Sequence, residues 1–289
     1  MSIWKKALEA GLNEDQWQWD WTALGSLKSG PLKSVNSNAV LVAKSNGIWA
    51  ADGLTPAAIS LSGEMGGPVQ IKSFFKDADR VRRGDVIQEW KGSTRSILAL
   101  ERPFLNLAAY VCGIATRTQH LVHLVEKAAK KIPLPRVTMT RKTLPGYRDL
   151  AILGVLAGGG LSHRVSLAAG VLIKENHITA AGGIDQAIEG VRKVIPHGLK
   201  LEIEVRTLDE LQVALRSGAE VVLLDNFSPS QVRAAMRLIS KLDTKILVEV
   251  SGGLDESNIS KYVMEGVHVL SCGSLTHSVR AMDLSLLLK

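Results

Sequence analysis

The sequence predicts an α/β protein in two parts, the second a (β/α) barrel, complete or incomplete, with an open doubly wound sheet as the structural alternative. Two observations lead there. All six tryptophans (Trp4, Trp17, Trp19, Trp21, Trp49 and Trp90) fall in the first ninety residues, and the rest is rich in Ala, Val and Leu, so the composition changes along the chain. After Pro135, short β-branched runs alternate with helical stretches, and parallel strands need such crossovers. A length of 289 residues accommodates about two average domains.

In chain order, the first part reads as short strands at 39–43, 47–50 and 69–72, then a turn at Arg83-Gly84-Asp85 before a strand at 86–90. From 93 to 131 the pattern is helical, with Leu98, Leu105, Ala108, Val111, Ile114, Leu121 and Val125 at spacings near three and four. Gly113 is expected to kink or divide this helix. The segment 131–135, with Pro133 and Pro135, closes it. Six strands then begin near Val137, Val171, Leu201, Val221, Ile246 and Val267, with helices expected at 184–195, 208–217, 229–240 and 256–265. Gly158-Gly159-Gly160 follows a helix and reads as its C-terminal turn, since it fits neither a dinucleotide fingerprint nor a P-loop. His120, His123 and Glu126, three apart on a helix, could clasp a metal, but a solvated helix face explains them more simply.

Composition removes several classes. With 46% apolar and 22% charged residues, the chain is neither collagen, coiled coil, disordered polymer nor disulfide scaffold. Cys112 and Cys272 sit in apolar stretches and read as buried thiols. The N-terminus lacks a signal-peptide core and no apolar run reaches about 18 residues, so the expectation is a cytoplasmic protein without a membrane partner. The net charge of +7 favours anionic partners. Nucleic acid is not expected, because the cations are dispersed among acids and the aromatic-poor second half offers no stacking platform.

If the repeated units form a barrel, chemistry belongs where strands end. The six ends read Thr140-Arg141-Lys142-Thr143, Lys174-Glu175-Asn176-His177, Glu202 to Arg206, Leu224-Asp225-Asn226, Glu249 to Gly253, and Ser271 to Ser274 before His277. One such charge marks no more than an exit to solvent; six together suit a substrate bearing phosphates and carboxylates, with a metal or a developing positive charge. The glycines at 252–253 and 273 let backbone N–H groups face an anion.

These residues also carry a resemblance. The run 92–106 (Gly-Ser-Thr-Arg-Ser-Ile-Leu-Ala-Leu-Glu-Arg-Pro-Phe-Leu-Asn), Gly113-Ile114-Ala115-Thr116, and Thr140 to Gly146 resemble quinolinate phosphoribosyltransferase, also called nicotinate-nucleotide pyrophosphorylase (carboxylating). The match continues in order through His163-Arg164, Ile173 to Ile178, Glu202 to Val205, Leu224-Asp225-Asn226, Ser251-Gly252-Gly253 and Gly273 to Ser278, about two-thirds of the chain. Residues 147–161 look somewhat like the molybdenum-associated paralogue of the same fold, so phosphoribosylation of another carboxylated heterocycle is the alternative.

The resemblance implies an N-terminal α/β sandwich at 1–112 and an incomplete (β/α) barrel at 113–289, with residues from about 275 to 289 packing back on the first. It implies a homodimer or higher homo-oligomer with a shared active site. It also implies a reaction: quinolinate and phosphoribosyl pyrophosphate give nicotinate mononucleotide, pyrophosphate and carbon dioxide, with Mg²⁺. Carried over by position, Arg102 (from the neighbouring subunit), Arg141, His163, Arg164 and Lys174 hold the quinolinate carboxylates. Lys142, Glu204, Asp225, Ser251, Gly252, Gly273 and His277 surround phosphoribosyl pyrophosphate, with Glu204 and Asp225 near the ribose and metal. The chemistry is consistent: guanidinium forks grip a planar dicarboxylate bidentately, while Glu204 and Asp225 face the positive charge that builds on the sugar as pyrophosphate leaves toward Lys142.

Overall fold

The computed structural model describes residues 2–27, 36–130, 132–242 and 245–289. In chain order the elements are α1 (Ile3–Glu14), α2 (Trp21–Ser26), β1 (Asn36–Ala43), β2 (Gly47–Ile48), α3 (Leu54–Glu64), β3 (Val69–Ser73), β4 (Arg80–Val81), β5 (Val86–Ser93) and α4 (Thr94–Ala129). The second half follows with β6 (Arg136–Thr138), α5 (Arg148–Ala157), β7 (Val171–Ile173), α6 (Glu175–Ala181), α7 (Ile184–Arg192), β8 (Leu201–Val205) and α8 (Leu208–Arg216). It closes with β9 (Val221–Asp225), α9 (Pro229–Ile239), β10 (Leu247–Ser251), β11 (Val269–Ser271), α10 (Ser274–His277) and β12 (Leu284–Leu288).

Two compact units result. The first gathers Met1–Gln119, Asp149–Gly159 and Val279–Lys289. Its sheet is antiparallel in the order β12-β1-β5-β3, so the last strand pairs with the first, Leu286 opposite Leu41. Side chains from β1 and β5 (Leu41, Ile87, Trp90) are buried with those of α1, α3 and α4 (Leu8, Leu54, Phe104), and Phe104 meets Trp90 edge-to-face at 4.9 Å. The wholly buried Gln88 side chain of β5 is satisfied: its amide reaches Thr55 and Ser73, and its oxygen accepts from the Trp90 indole.

Helix α4 runs unbroken through Gly113, so the expected kink is absent. The glycine serves a different need: a Cβ there would lie 2.3 Å from the Arg280 carbonyl oxygen, so only a bare Cα lets residues 280–281 pass. α4 is long and apolar enough to span a bilayer, but 61% of its most apolar window is buried inside the protein, as in a core helix.

The second unit gathers His120–Arg148 and Gly160–Ser278. All six expected strands are present, in one parallel sheet of order β6-β11-β10-β9-β8-β7. Leu161 adds a single parallel bridge to Thr138 on the free side of β6. The neighbours are therefore β7, β8, β9, β10, β11, β6 and Leu161, which is the chain order closed on itself. A doubly wound sheet reverses order at a switch point; here the last strand, β11, returns to the first, β6, as in a barrel. The ring lacks one seam, between Leu161 and β7, so the barrel is incomplete.

Register fixes the two faces of this sheet, because side chains alternate and parallel partners share a face. Ile203, Val205, Val222, Leu224, Val248, Val250 and Leu270 form one face and are wholly buried, as are Leu211, Ala214, Val232 and Ala235 of the helices. The other face carries Thr138, Glu202, Glu204, Asp225, Glu249, Ser251 and Ser271, so the barrel interior is polar toward one end.

The helices are locally specified. Thr207 caps α8 by accepting from the Glu210 amide. Ser228 and Gln231 form a capping box on α9, with Pro229 in the first turn. The helix expected at 256–265 is only a 3₁₀ turn, Ile259–Tyr262. Asp255 accepts from the Ser257 amide and Asn258 accepts from the Asp255 amide, bonds that cap a helix start, but the helical ladder does not continue past Tyr262. The glycine run at 158–160 follows the end of α5, as its reading as a C-terminal turn requires.

Candidate active site

The polar residues of the barrel interior form two linked sets. Deepest is His163, whose Nε2 lies 3.3 Å from Glu249 Oε2 and 3.6 Å from Glu202 Oε2. Ser271 donates to Glu249 Oε1 at 2.6 Å, and Ser271 and Thr138 share a further bond of 2.6 Å. Thr138, Ser271 and both carboxylates are buried. Burial opposes charge on the His163 ring, but the hydrogen bonds and charges of Glu202 and Glu249 outweigh it and push its pKa up to about 10. Burial, together with the nearby Glu249 charge, also raises Glu202, against the pull of His163. Groups this close titrate as one unit. The Arg164 amide nitrogen lies 2.7 Å from Nδ1, and Nε2 directs its proton at the carboxylates.

Nearer the rim, Lys174 follows β7 at the N-cap of α6, and its Nζ lies 3.5 Å from Glu204 on the neighbouring β8. His177 accepts the Lys174 amide through Nδ1 and so shapes this cap. Arg206 pairs with Glu175 at 2.6 Å, tying the two loop mouths together.

Arg141 and Arg164 make the sharpest electrostatic feature. Among the described residues neither forms a salt bridge, and Arg141 Nε is buried with no hydrogen-bond partner. Burial lowers the Arg164 pKa, and the positive charge of Arg141 lowers it further. Two guanidiniums held within each other's field, one with a desolvated idle donor, are costly unless an anion joins them.

The remaining expected residues line strand ends. Asp225 ends β9 and accepts from the Asn226 amide side chain. Asn226 takes a left-handed φ of 58° and donates its N–H to the Ser251 carbonyl at 2.9 Å. Gly252 turns at φ 101°, where a Cβ would collide with Asn226 at 2.3 Å. Gly273 precedes α10, and exposed His277 lies above it, 3.2 Å from where a Cβ would stand. Thr276 donates to the Lys142 carbonyl at 2.8 Å, holding the exposed Lys142 segment against α10. Arg102 lies exposed on α4 in the first unit.

Among the described residues, the group whose ligand atoms cluster closely enough for a metal is His163, Glu202 and Glu249, not Glu204 and Asp225. Those two stand two residues out of register on adjacent strands, since Glu204 pairs with Leu223, and so share the interior face. Hard carboxylate oxygens without a closed cage fit Mg²⁺, which keeps several waters and leans on substrate phosphates. The exposed His120, His123 and Glu126 form no such cluster; His123 and Glu126 make a loose pair at 3.9 Å on a solvated helix face.

Thr138 is the member of this set that lies outside the strand ends read from the sequence, while Glu202, Glu249 and Ser271 lie within them but carry no assigned role there. Their signal is the period of two: Glu202-Ile203-Glu204 and Glu249-Val250-Ser251 place polar groups at alternate positions of otherwise apolar strands, the mark of a polar barrel interior.

Comparison with known proteins follows the same outline. The family model described as the quinolinate phosphoribosyl transferase N-terminal domain matches residues 26–112, and that of the C-terminal domain matches 114–287. A Methanocaldococcus jannaschii protein described as a probable nicotinate-nucleotide pyrophosphorylase [carboxylating] is 40% identical over 222 residues, 75% of this chain and 76% of its own. The human nicotinate-nucleotide pyrophosphorylase [carboxylating] is 32% identical over 250 residues, covering 86% and 82%. The solved nicotinate-nucleotide pyrophosphorylase of Francisella tularensis superposes with a TM-score of 0.87 at 34% identity, over 99% of this chain and 96% of that one.

Proposed function

The chain belongs to the quinolinate phosphoribosyl transferase family, and we propose that it transfers the phosphoribosyl group of phosphoribosyl pyrophosphate to quinolinate with decarboxylation. The products are nicotinate mononucleotide, pyrophosphate and carbon dioxide, and the step belongs to de novo NAD biosynthesis. One observation carries the reading: Arg141 and Arg164 are held together without salt-bridge partners, with a buried idle donor on Arg141, which suits a planar dicarboxylate.

Arg141 and Arg164 grip the carboxylates, and His163 and Lys174 complete the cationic wall. Both of the latter are oriented by carboxylates beneath them, so they present charge in a fixed place. Arg102, exposed on its helix, closes the pocket of a neighbouring subunit in a homodimer or larger assembly. Lys142, Ser251, Gly252, Gly273 and His277 hold the phosphate and pyrophosphate groups through side-chain charge and backbone N–H.

The quinolinate nitrogen attacks C1 of the ribose as the bond to pyrophosphate breaks. Positive charge grows on the sugar, and Glu204 and Asp225 stabilise it across the barrel interior. The ribosylated ring nitrogen is cationic and accepts the electron pair left when the adjacent carboxylate departs as carbon dioxide; a proton then takes its place. Glu204 and Asp225 would hold Mg²⁺, which would supply charge neutralisation for the leaving pyrophosphate. Two buried cysteines that form no disulfide suit the reducing cytoplasm, where the reading places the enzyme.

The test is calorimetric titration with quinolinate, nicotinate serving as the one-carboxylate control, followed by assay of nicotinate mononucleotide. Tight quinolinate binding, weak nicotinate binding and product formation are expected. Equal affinity for the two acids, or no product from folded enzyme, refutes the proposal.

A further inference from the structure

Arg148 is the first residue of α5, a place where a cation is electrostatically disfavoured, since a helix N-terminus already carries partial positive charge. Its guanidinium is committed elsewhere. Nε donates to Thr143 Oγ1 at 3.2 Å, and a terminal nitrogen donates to the Val165 carbonyl at 3.0 Å. These two acceptors belong to the segments that carry the paired arginines. Thr143 closes the turn that begins at Arg141, its amide donating to the Arg141 carbonyl at 3.0 Å, and Val165 directly follows Arg164.

Both segments lack regular secondary structure. The Thr138–Leu161 bridge is where ladder pairing stops, and the chain from 162 to 170 then crosses the open seam of the barrel. Arg141 and Arg164 repel each other across these loops, so the loops need a restraint if the two forks are to stay at one separation. A planar guanidinium with donors on two edges can serve both acceptors at once; an ammonium on a flexible stem cannot hold that geometry.

We infer that Arg148 is a positioning residue: it staples the 141–143 turn to the 163–165 segment, sets the spacing of Arg141 and Arg164, and thereby makes the site require two carboxylates. The inference rests on the reading of this pocket as the quinolinate site. Without the staple each guanidinium still binds a carboxylate, but the two no longer converge on one ring. Selectivity for the dicarboxylate is lost while the phosphoribosyl pyrophosphate side, built on the Ser251, Gly252 and Gly273 turns, is untouched.

The experiment compares wild type, Arg148→Ala, Arg148→Lys and Thr143→Val as full-length proteins. Calorimetry gives Kd for quinolinate and nicotinate, kinetics give KM for phosphoribosyl pyrophosphate, and hydrogen–deuterium exchange without ligand reports peptides covering 141–147 and 162–170. Arg148→Ala is expected to raise the quinolinate Kd roughly 10- to 100-fold, as loss of one charge-assisted carboxylate contact does, while nicotinate affinity and the KM for phosphoribosyl pyrophosphate change by less than about twofold. Exchange quickens in both segments. Thr143→Val, which removes one of the two bonds, moves every readout the same way by less, and Arg148→Lys restores part of the loss. An unchanged quinolinate-to-nicotinate ratio, or equal damage to both substrates, overturns the inference. Should Arg148→Ala fail to fold, Thr143→Val and Arg148→Lys decide by the same criteria. Wild type that binds no quinolinate refutes the proposed function, and exchange then judges the staple alone: exchange unaltered in either segment overturns it.

Discussion

Replacing Arg141 by Met separates binding from stability, because the structure gives the two effects opposite signs. Met keeps the apolar stem and removes the charge and the buried Nε that no protein group satisfies. An unsatisfied buried donor costs about 1–3 kcal/mol, so its removal is expected to stabilise the ligand-free protein by about 1 kcal/mol, and relief of the repulsion with Arg164 adds to this. That corresponds to a rise in Tm of about 2–4 °C for a unit of this size. Binding moves the other way. Truncating one partner of a desolvated charge pair costs about 2–5 kcal/mol, which is roughly 30- to 4,000-fold in Kd for quinolinate. Thermal unfolding without ligand and calorimetric titration of the same preparation measure both. A variant that is less stable than wild type, yet binds quinolinate equally well, would show Arg141 to be structural and would refute the carboxylate-grip argument.

Four further outcomes are expected. Gly113→Ala drives a methyl into the Arg280 carbonyl, and should lower stability by about 1–3 kcal/mol in urea unfolding; an unchanged midpoint would mean that residues 280–281 do not need this approach. Cys112 is buried and its thiol is pushed up to about 12, and Cys272 is equally buried, so a thiol reagent should modify neither until the protein is denatured. His163 has a folded pKa of about 10 against an ordinary 6.5, so its contribution to stability is complete below 6.5 and is lost as pH rises through about 10. Glu249→Gln removes one of the two carboxylates that raise it, and should shift that loss to lower pH, with unfolding midpoints from neutral to alkaline pH as the readout. Asp225→Asn should weaken Mg²⁺-dependent binding of phosphoribosyl pyrophosphate while leaving quinolinate affinity alone; equal loss of both would count against its assigned place.

Much of this architecture is legible in the residues themselves, for reasons that differ by element. The six barrel strands announce themselves because both their faces are covered, giving β-branched runs such as Val221-Val222-Leu223-Leu224. Whether they close is not written in any strand; the answer lies in β11 pairing with β6 across more than a hundred residues of chain. α1 has a readable signal in Trp4, Leu8 and Leu12 at intervals of four. α3 reads more faintly: Leu54, Ala57, Ala58 and Leu61 keep the helical spacing, but the alanines and the buried Ser62 weaken the contrast of the stripe. The charged rim was visible as the recurrence of Arg, Lys, Asp and Glu at strand ends. The links beneath it were not, since Thr138 is an ordinary strand residue, and nothing in the sequence joins it to Ser271 and Glu249 until the ladder aligns them. Arg148 belongs to the same class: its sequence neighbours describe a helix start, and only the approach of Val165 gives its guanidinium a purpose.

The pairing of β12 with β1 has a consequence for the order of events during synthesis. A nascent chain emerges N-terminal end first. β1, β3 and β5 are available early, yet one edge of β1 waits for residues 284–288, made only after every strand of the barrel. Through that interval the growing polypeptide exposes a strand edge bearing Ala39, Leu41 and Ala43, the kind of template on which two nascent chains stick together. A pause in synthesis shortly before residue 284 therefore prolongs the exposure of this edge, and pairing of Leu284 to Leu288 with β1 is the step that covers it.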